Sequence, residues 1–184
     1  QVEPATSFVQ LLSRSYSLKQ VDLGEGGIPE GLKTFVIAGP TGGFSDYELY
    51  QIDQALMRGT NLALFVDSFQ EIMPQQGSPY GQMPQYVPND TGLEKLIEHY
   101  GVRVNKSIVM DENCFTQRSS RQYGGGEQKI YYAPIIQNRN INGELAAMAN
   151  IKSMVGLAMS PLEIDEKRLA EGKITAKRLF SSSN

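Results

Sequence analysis

Hydrophobic and polar positions follow two periods along this chain, and the sharpest change of period falls in its first third. Phe35-Val36-Ile37-Ala38 is a short apolar run rich in β-formers, which predicts a strand covered on both faces. From Ser45 the period lengthens. Leu49, Ile52 and Leu56 recur on one face of a helix, Ser45 and Glu48 have capping-box spacing, and Gly59 supplies a stop. Leu62 to Val66 is a second apolar run and predicts a second buried strand. Together these make one strand–helix–strand unit. Asp53 falls on the apolar face of the helix, so it is expected to be partly buried and hydrogen-bonded, because an unpaired buried carboxylate is costly.

Outside that unit the pattern is less regular. Phe8 to Tyr16 has near-helical apolar spacing behind Thr6 or Ser7 as N-cap, and Ser17 to Leu23 alternates loosely, as a strand does. Gly24 to Gly31 reads as a loop. Ser68 to Thr91 carries Pro74, Pro79, Pro84 and Pro88 and has no period, so it reads as one long loop. Gly92 to Tyr100 predicts a short helix stopped by Gly101, and Val102 to Met110 one or two strands. Asn113 to Gln128 is polar with Gly124-Gly125-Gly126 at its tip, which suits a loop or hairpin connection. Lys129 to Tyr132, Ile135-Ile136 and Ile151 to Met159 are strand-like, and Leu145 to Met148 suits a helical turn. Leu162 to Ile164 and Lys177 to Ser181 predict edge strands around a charged segment, Asp165 to Thr175. Strands alternating with helices predict a three-layer α/β sandwich on a mostly parallel or mixed sheet.

Composition narrows the partners. The 184 residues suit a single domain, 1–184, and 40% hydrophobic with 20% charged residues is a globular balance. A net charge of -3 and a pI near 5.3 argue against a nucleic-acid surface. The densest basic cluster, Lys167-Arg168 with Lys173, Lys177 and Arg178, is interleaved with Asp165, Glu166 and Glu171 and reads as a solvated face. The one cysteine, Cys114, cannot close an internal disulfide or make a cysteine-only metal site. No apolar run approaches the ~20 residues of a membrane span, and no signal peptide is visible. The chain begins with Gln1 rather than Met and stops in Ser-Ser-Ser-Asn, which reads as a fragment of a longer protein.

The motifs resemble those of the GldG-like family, the auxiliary component of gliding-motility-type ABC transport systems. That family's pattern is close to Val-Ile-Ala-Gly-Pro, then Ser-x-x-Glu-Leu-x-x-Leu-Asp-x-x-Leu-x-x-Gly-Gly, then a hydrophobic strand ending in Asp-Pro. This chain has Val36 to Pro40, Ser45, Glu48, Leu49, Asp53, Leu56, Gly59 and Asp67, and departs at Ile52, Thr60 and Ser68. Gly92 to Val104 and Ser160 to Ile164 are similar to two further shared segments, so the resemblance covers about residues 20 to 165. It implies an extracytoplasmic α/β domain, flavodoxin-like or similar to class I glutamine amidotransferases. It also implies an inner-membrane tether by helices outside this fragment, and service to the membrane subunits of an ABC exporter, in some bacteria for gliding.

Candidate chemistry concentrates at predicted strand ends. Gly39, Pro40, Thr41, Gly42 and Gly43 lie between a strand and a helix start, where backbone amides can cradle an anion. The run lacks the Lys-Ser/Thr of a P-loop and the Gly-x-Gly-x-x-Gly spacing, which favours a tight structural turn over phosphate binding. Asp67 and Asp111 fall at strand ends, where carboxylates bind a cation, work as acid and base, or cap a turn. Ser68 or Cys114 with His99 is the one arrangement for nucleophilic catalysis, but neither nucleophile has the flanking glycines of an elbow. His99 also suits a cation at a helix C-terminus. Tyr80 and Tyr86 suit a recognition loop, and with Tyr123 they would line a groove for a carbohydrate or peptide.

The sequence therefore predicts a non-catalytic extracytoplasmic sensor or scaffold domain of an ABC transport auxiliary protein, with no cofactor and no metal. Its ligand or partner candidates are Gly39, Thr41, Gly42, Asp67, Ser68, Tyr80, Tyr86 and Asp111. A hydrolase or amidotransferase relative using Ser68 or Cys114 with His99, and a carbohydrate- or peptide-binding module, are the alternatives.

Overall fold

A computed structural model describes residues 6–72, 85–119 and 125–183. The chain divides into two compact units: Gln1–Val36 with Phe44–Ala63, and Ile37–Gly43 with Leu64–Asn184.

The first unit contains helix α1 (Thr6–Ser13) and helix α2 (Asp46–Met57). Both ends of α2 are fixed by local chemistry. Ser45 Oγ accepts from the Glu48 amide, and the Glu48 carboxylate accepts from the Ser45 amide at 2.7 Å, so two orphan amides are satisfied. The Ser45 hydroxyl bond, then the Ser45 amide bond, hold the Glu48 carboxyl below its ordinary range. At the other end Gly59 takes φ +92°, Gly59 N–H donates to Leu56 O and Thr60 N–H to Ala55 O. That double closure needs a residue free of the left-handed penalty, which is why glycine stands there. Between the ends Leu49, Ile52 and Ala55 form the buried stripe. Asp53 is half-buried and partnered, as its place on that face predicts. Residues 17–22 carry no regular structure, so the strand expected over Ser17 to Leu23 is not formed.

Strands β1 (Thr34–Ala38) and β2 (Asn61–Phe65) pair with each other. Asn61 N–H donates to Lys33 O and Gly39 N–H to Phe65 O, so the register advances the same way on both and the pair is parallel. The expected strand–helix–strand unit is present, but its first strand is not covered on both faces. Only Ile37 is buried in β1, and Val36 is 39% exposed.

The second unit is built from antiparallel pieces. β3 (Phe69–Ile72) pairs β4 (Gln85–Pro88), with Glu71 opposite Tyr86. Helix α3 (Leu93–His99) follows, then β5 (Val102–Val104), which pairs β9 (Leu162–Ile164). β6 (Cys114–Ser119), β7 (Gly126–Gln137) and β8 (Ser153–Val155) form a three-stranded sheet. Its register shifts between Cys114 and Phe115, opposite Pro134 and Ile130. Pro134 has no N–H for the ladder and sits where the ladder breaks. Helix α4 (Glu166–Gly172) is capped by Asp165, whose carboxylate accepts from Arg168 N–H at 3.1 Å. A core gathers Ile136, Ile141 and Met148, with Leu145, Met154 and Phe180 packed against it.

The three-layer sandwich on a mostly parallel sheet, flavodoxin-like or amidotransferase-like, is therefore corrected. Among the described residues the sheets are small, with two or three strands, and β1–β2 is the parallel pair. Hydrophobic period reports that a strand exists and which face it buries, but not the direction of its partner. α3 and α4 have seven residues each, short for the crossover a parallel pair requires. The polar segment Asn113 to Gln128 supplies β6 and the start of β7, the ends of Ser68 to Thr91 are strands, and the charged Asp165 to Thr175 segment contains α4.

Ile52 is 1% exposed, and Met57 on the same helix is 73% exposed. Ile52→Ala is expected to cost about 2–5 kcal/mol in urea unfolding, and Met57→Ala under about 0.5 kcal/mol. Equal costs for the two would place the buried stripe of α2 wrongly.

Candidate functional site

Within the second unit, two turns that carry sequence candidates converge on one side chain. Asn89 is 7% exposed, and its Nδ2 donates to Pro40 O at 2.9 Å and to Asp67 O at 3.1 Å. Its backbone N–H donates to Ser68 O at 2.9 Å. The Gly39–Gly43 turn and the Asp67–Ser68 turn are thus joined through one amide. Ser68 is buried, and its hydroxyl donates to Asn105 O at 3.4 Å. Thr91, 1% exposed, accepts from Leu93 N–H, and its own N–H and hydroxyl donate to the Glu94 carboxylate. This is capping-box chemistry that fixes the start of α3. Lys106 pairs with Asp90.

Val66, Asp67, Ser68, Asn89, Thr91 and Lys106 line a cavity of about 10 Å3. That is room for roughly one water and no more. The arrangement satisfies backbone carbonyls at the strand ends.

Asp111 is a separate feature. It is 2% exposed, and its carboxylate accepts from Asn113 N–H at 2.9 Å, Ser183 N–H at 2.7 Å and the Ser183 hydroxyl. The Ser183 hydroxyl bond, then the Ser183 amide, hold its carboxyl below the ordinary value of 3.8, against the opposing effect of burial. The same tail lies along residues 140–142. Phe180 bridges Ile141, Ser181 N–H donates to Asn140 O, and Asn142 N–H donates to Leu179 O. Asp111 therefore anchors residues 178–183 and takes the turn-capping role among those open to it.

The catalytic candidates are not joined by hydrogen bonds. Ser68 is engaged with Asn105 O, and Cys114 is buried in β6 opposite Pro134. His99 ends α3 and meets Tyr100 edge-on, ring centres 5.4 Å apart. Tyr86 is 51% exposed on β4, while Tyr80 and Tyr123 lie outside the described residues. No three His, Cys, Asp or Glu residues group as a metal site among the described residues.

A family model described as an ABC-type uncharacterized transport system matches residues 2–184. The chain belongs to that family. This ABC transport family member is also similar in structure to the mmIFT52 N-terminal domain. The TM-score is 0.54 at 16% identity, over 87% of this chain and 64% of that one. At that identity the likeness concerns the fold alone, and the chain spans less than two thirds of the neighbour's length. No curated protein matches. Among the described residues of this family member, no helix is long and apolar enough to cross a membrane.

Asn89 and Ser183 hold the two clusters of the family member together, yet sequence reasoning did not single out either. Thr91 and Glu94 did carry a readable signal, the Thr-x-x-Glu spacing ahead of Leu93, Leu96 and Ile97.

Asn89→Ala removes two donors from part-buried carbonyls and is expected to cost about 1–2 kcal/mol in urea unfolding. Asn89→Asp puts a carboxylate against the same carbonyls and is expected to cost more. A cost near zero for both would show that the amide bridges nothing. For Asp111, the folded carboxyl ionises more readily than the unfolded one. Its contribution is full above the ordinary value of 3.8 and is lost as pH falls through the depressed folded value. Between about pH 5 and pH 2, stability followed by denaturant unfolding is expected to fall more steeply in the parent than in Asp111→Asn. Parallel curves would contradict the anchoring role.

Proposed function

We infer that the chain is a non-catalytic extracytoplasmic domain of an ABC transport auxiliary protein, which binds or scaffolds other components of the system. The observation that carries the non-catalytic part is how the strand-end candidates are used. Ser68, Asp67, Asn89 and Thr91 close around a water-sized cavity, and the hydroxyl of Ser68 is engaged with a backbone carbonyl. A nucleophilic hydroxyl needs its proton directed to a base, and room for substrate; the Ser68 proton is directed to the Asn105 carbonyl, which is not a base. Membership of a transport-system family supports the association with ABC components.

The extracytoplasmic placement, the tether outside this segment and a role in export or gliding are supported by the GldG-like motifs at Val36 to Pro40 and Ser45 to Gly59. In this reading the membrane subunits of the transporter are the partners, and Gly39, Thr41, Gly42 and Tyr86 are surface groups available to them. The domain needs no cofactor for such work.

The placement is tested on the full-length protein in intact cells. Met57→Cys puts a thiol at an exposed helix position, and native Cys114 is buried. A membrane-impermeant maleimide is expected to label Met57→Cys without permeabilisation and to leave the parent unlabelled. Labelling that requires lysis would place the domain on the cytoplasmic side.

A further inference from the structure

The first unit holds a larger pocket, which the transport reading does not use. The loop Leu23–Ile28 and the outer face of α2 enclose about 360 Å3, within the range of small-ligand sites. The α2 wall presents Tyr47, Tyr50, Gln51, Gln54 and Arg58. Tyr47 and Tyr50 are 68% and 57% exposed, yet their rings stack, with centres 6.4 Å apart and planes inclined by 25°. Two apolar rings held together in solvent form a flat platform.

Gln51 gives the pocket a second, independent feature. Its Nε2 donates to Leu23 O at 3.3 Å, which fixes the orientation of the amide. Its Oε1 is then buried with no hydrogen-bond partner. A buried acceptor left unmade costs about 1–3 kcal/mol, so a donor that reaches it gains more than an ordinary surface contact. The cover over this oxygen is Gly27, where a Cβ would stand 3.1 Å from Oε1 at φ +68°. Glycine is required there by conformation and by space. Gly27 therefore covers Oε1, and a ligand donor reaches it only where the glycine loop moves aside.

The geometry points to this pocket as a binding site for a short extended peptide segment. An extended backbone alternates N–H donors with carbonyl acceptors. In the proposed complex one donor meets Gln51 Oε1 with the Gly27 loop moved aside, and the carbonyls meet the Gln54 amide and the Arg58 guanidinium. A proline or other apolar side chain seats on the Tyr47–Tyr50 platform. Glu25 and Arg58 line the same pocket with opposite charges, which suits a peptide bearing basic and acidic side chains; a neutral sugar leaves both charges unmatched. This inference goes beyond the transport role and does not rest on it.

Fluorescently labelled protein is applied to an array of blocked pentapeptides of all residue types, beside an array of neutral oligosaccharides. Peptides that combine proline or an apolar residue with flanking charges are expected to bind. Tyr50→Ala is expected to weaken them about tenfold, the equivalent of one stacked contact, and Arg58→Ala to weaken those with an acidic residue about threefold. Both side chains are exposed, so the variants are expected to keep the parent Tm, which is measured alongside. Absence of peptide binding, peptide binding unchanged in both variants, or binding to oligosaccharides alone would each overturn the proposal.

Discussion

One buried amide organises the strand-end region of the second unit. Asn89 spends both side-chain hydrogens on carbonyls from two separate turns, Pro40 O and Asp67 O, and its backbone N–H on Ser68 O. Turns at strand ends carry carbonyls with no ladder partner, and burying them unpaired is costly. A single planar group with two donors settles two of them and fixes the spacing of the turns. Thr91 and Glu94, on the next turn, seat α3 directly behind it. The arrangement leaves a cavity about the size of one water where an α/β enzyme would place its substrate.

That closure shapes the functional reading more than any missing motif does. At the strand ends the Ser68 hydroxyl, the Asn89 amide and the Thr91–Glu94 pair are all bonded to backbone. Asp111 follows the same logic, with three bonds into one carboxylate that anchor residues 178–183. A domain whose polar side chains are committed to its own turns suits presentation of a rigid surface. In the first unit, Tyr47, Tyr50, Gln54 and Arg58 line a pocket along one face of α2.

The parts legible in the sequence are those whose causes are local. Ser45, Glu48 and Gly59 act within a turn of their own helix, so both ends of α2 follow from spacing alone. The stop at Gly101 works the same way for α3. The sheet plan was not legible, because Ile130, Tyr131 and Ile135 read as strand residues whatever the direction of their neighbour. β3 and β4 were hidden by the proline- and glutamine-rich composition between them. α4 was hidden because Leu169 is its one buried residue. The site was half legible. Gly39, Asp67 and Ser68 stand where strand ends put them, but the amide that joins them comes 49 residues after Pro40 and 22 after Asp67. Nothing in the local pattern of Pro88-Asn89-Asp90 distinguishes it from an ordinary turn.

Native-state amide hydrogen exchange at Gly39 and Asn89 tests the central claim, that the strand ends are closed by structure rather than held open for a ligand. Their N–H groups donate to Phe65 O and Ser68 O, and the account predicts exchange as slow as that of Ile135, whose N–H donates to Asn113 O in the sheet region of the same unit. Exchange at Gly39 and Asn89 approaching that of an open loop, while Ile135 stays protected, would contradict it. The turns would then open without unfolding of the unit, and the region would be a mobile binding site.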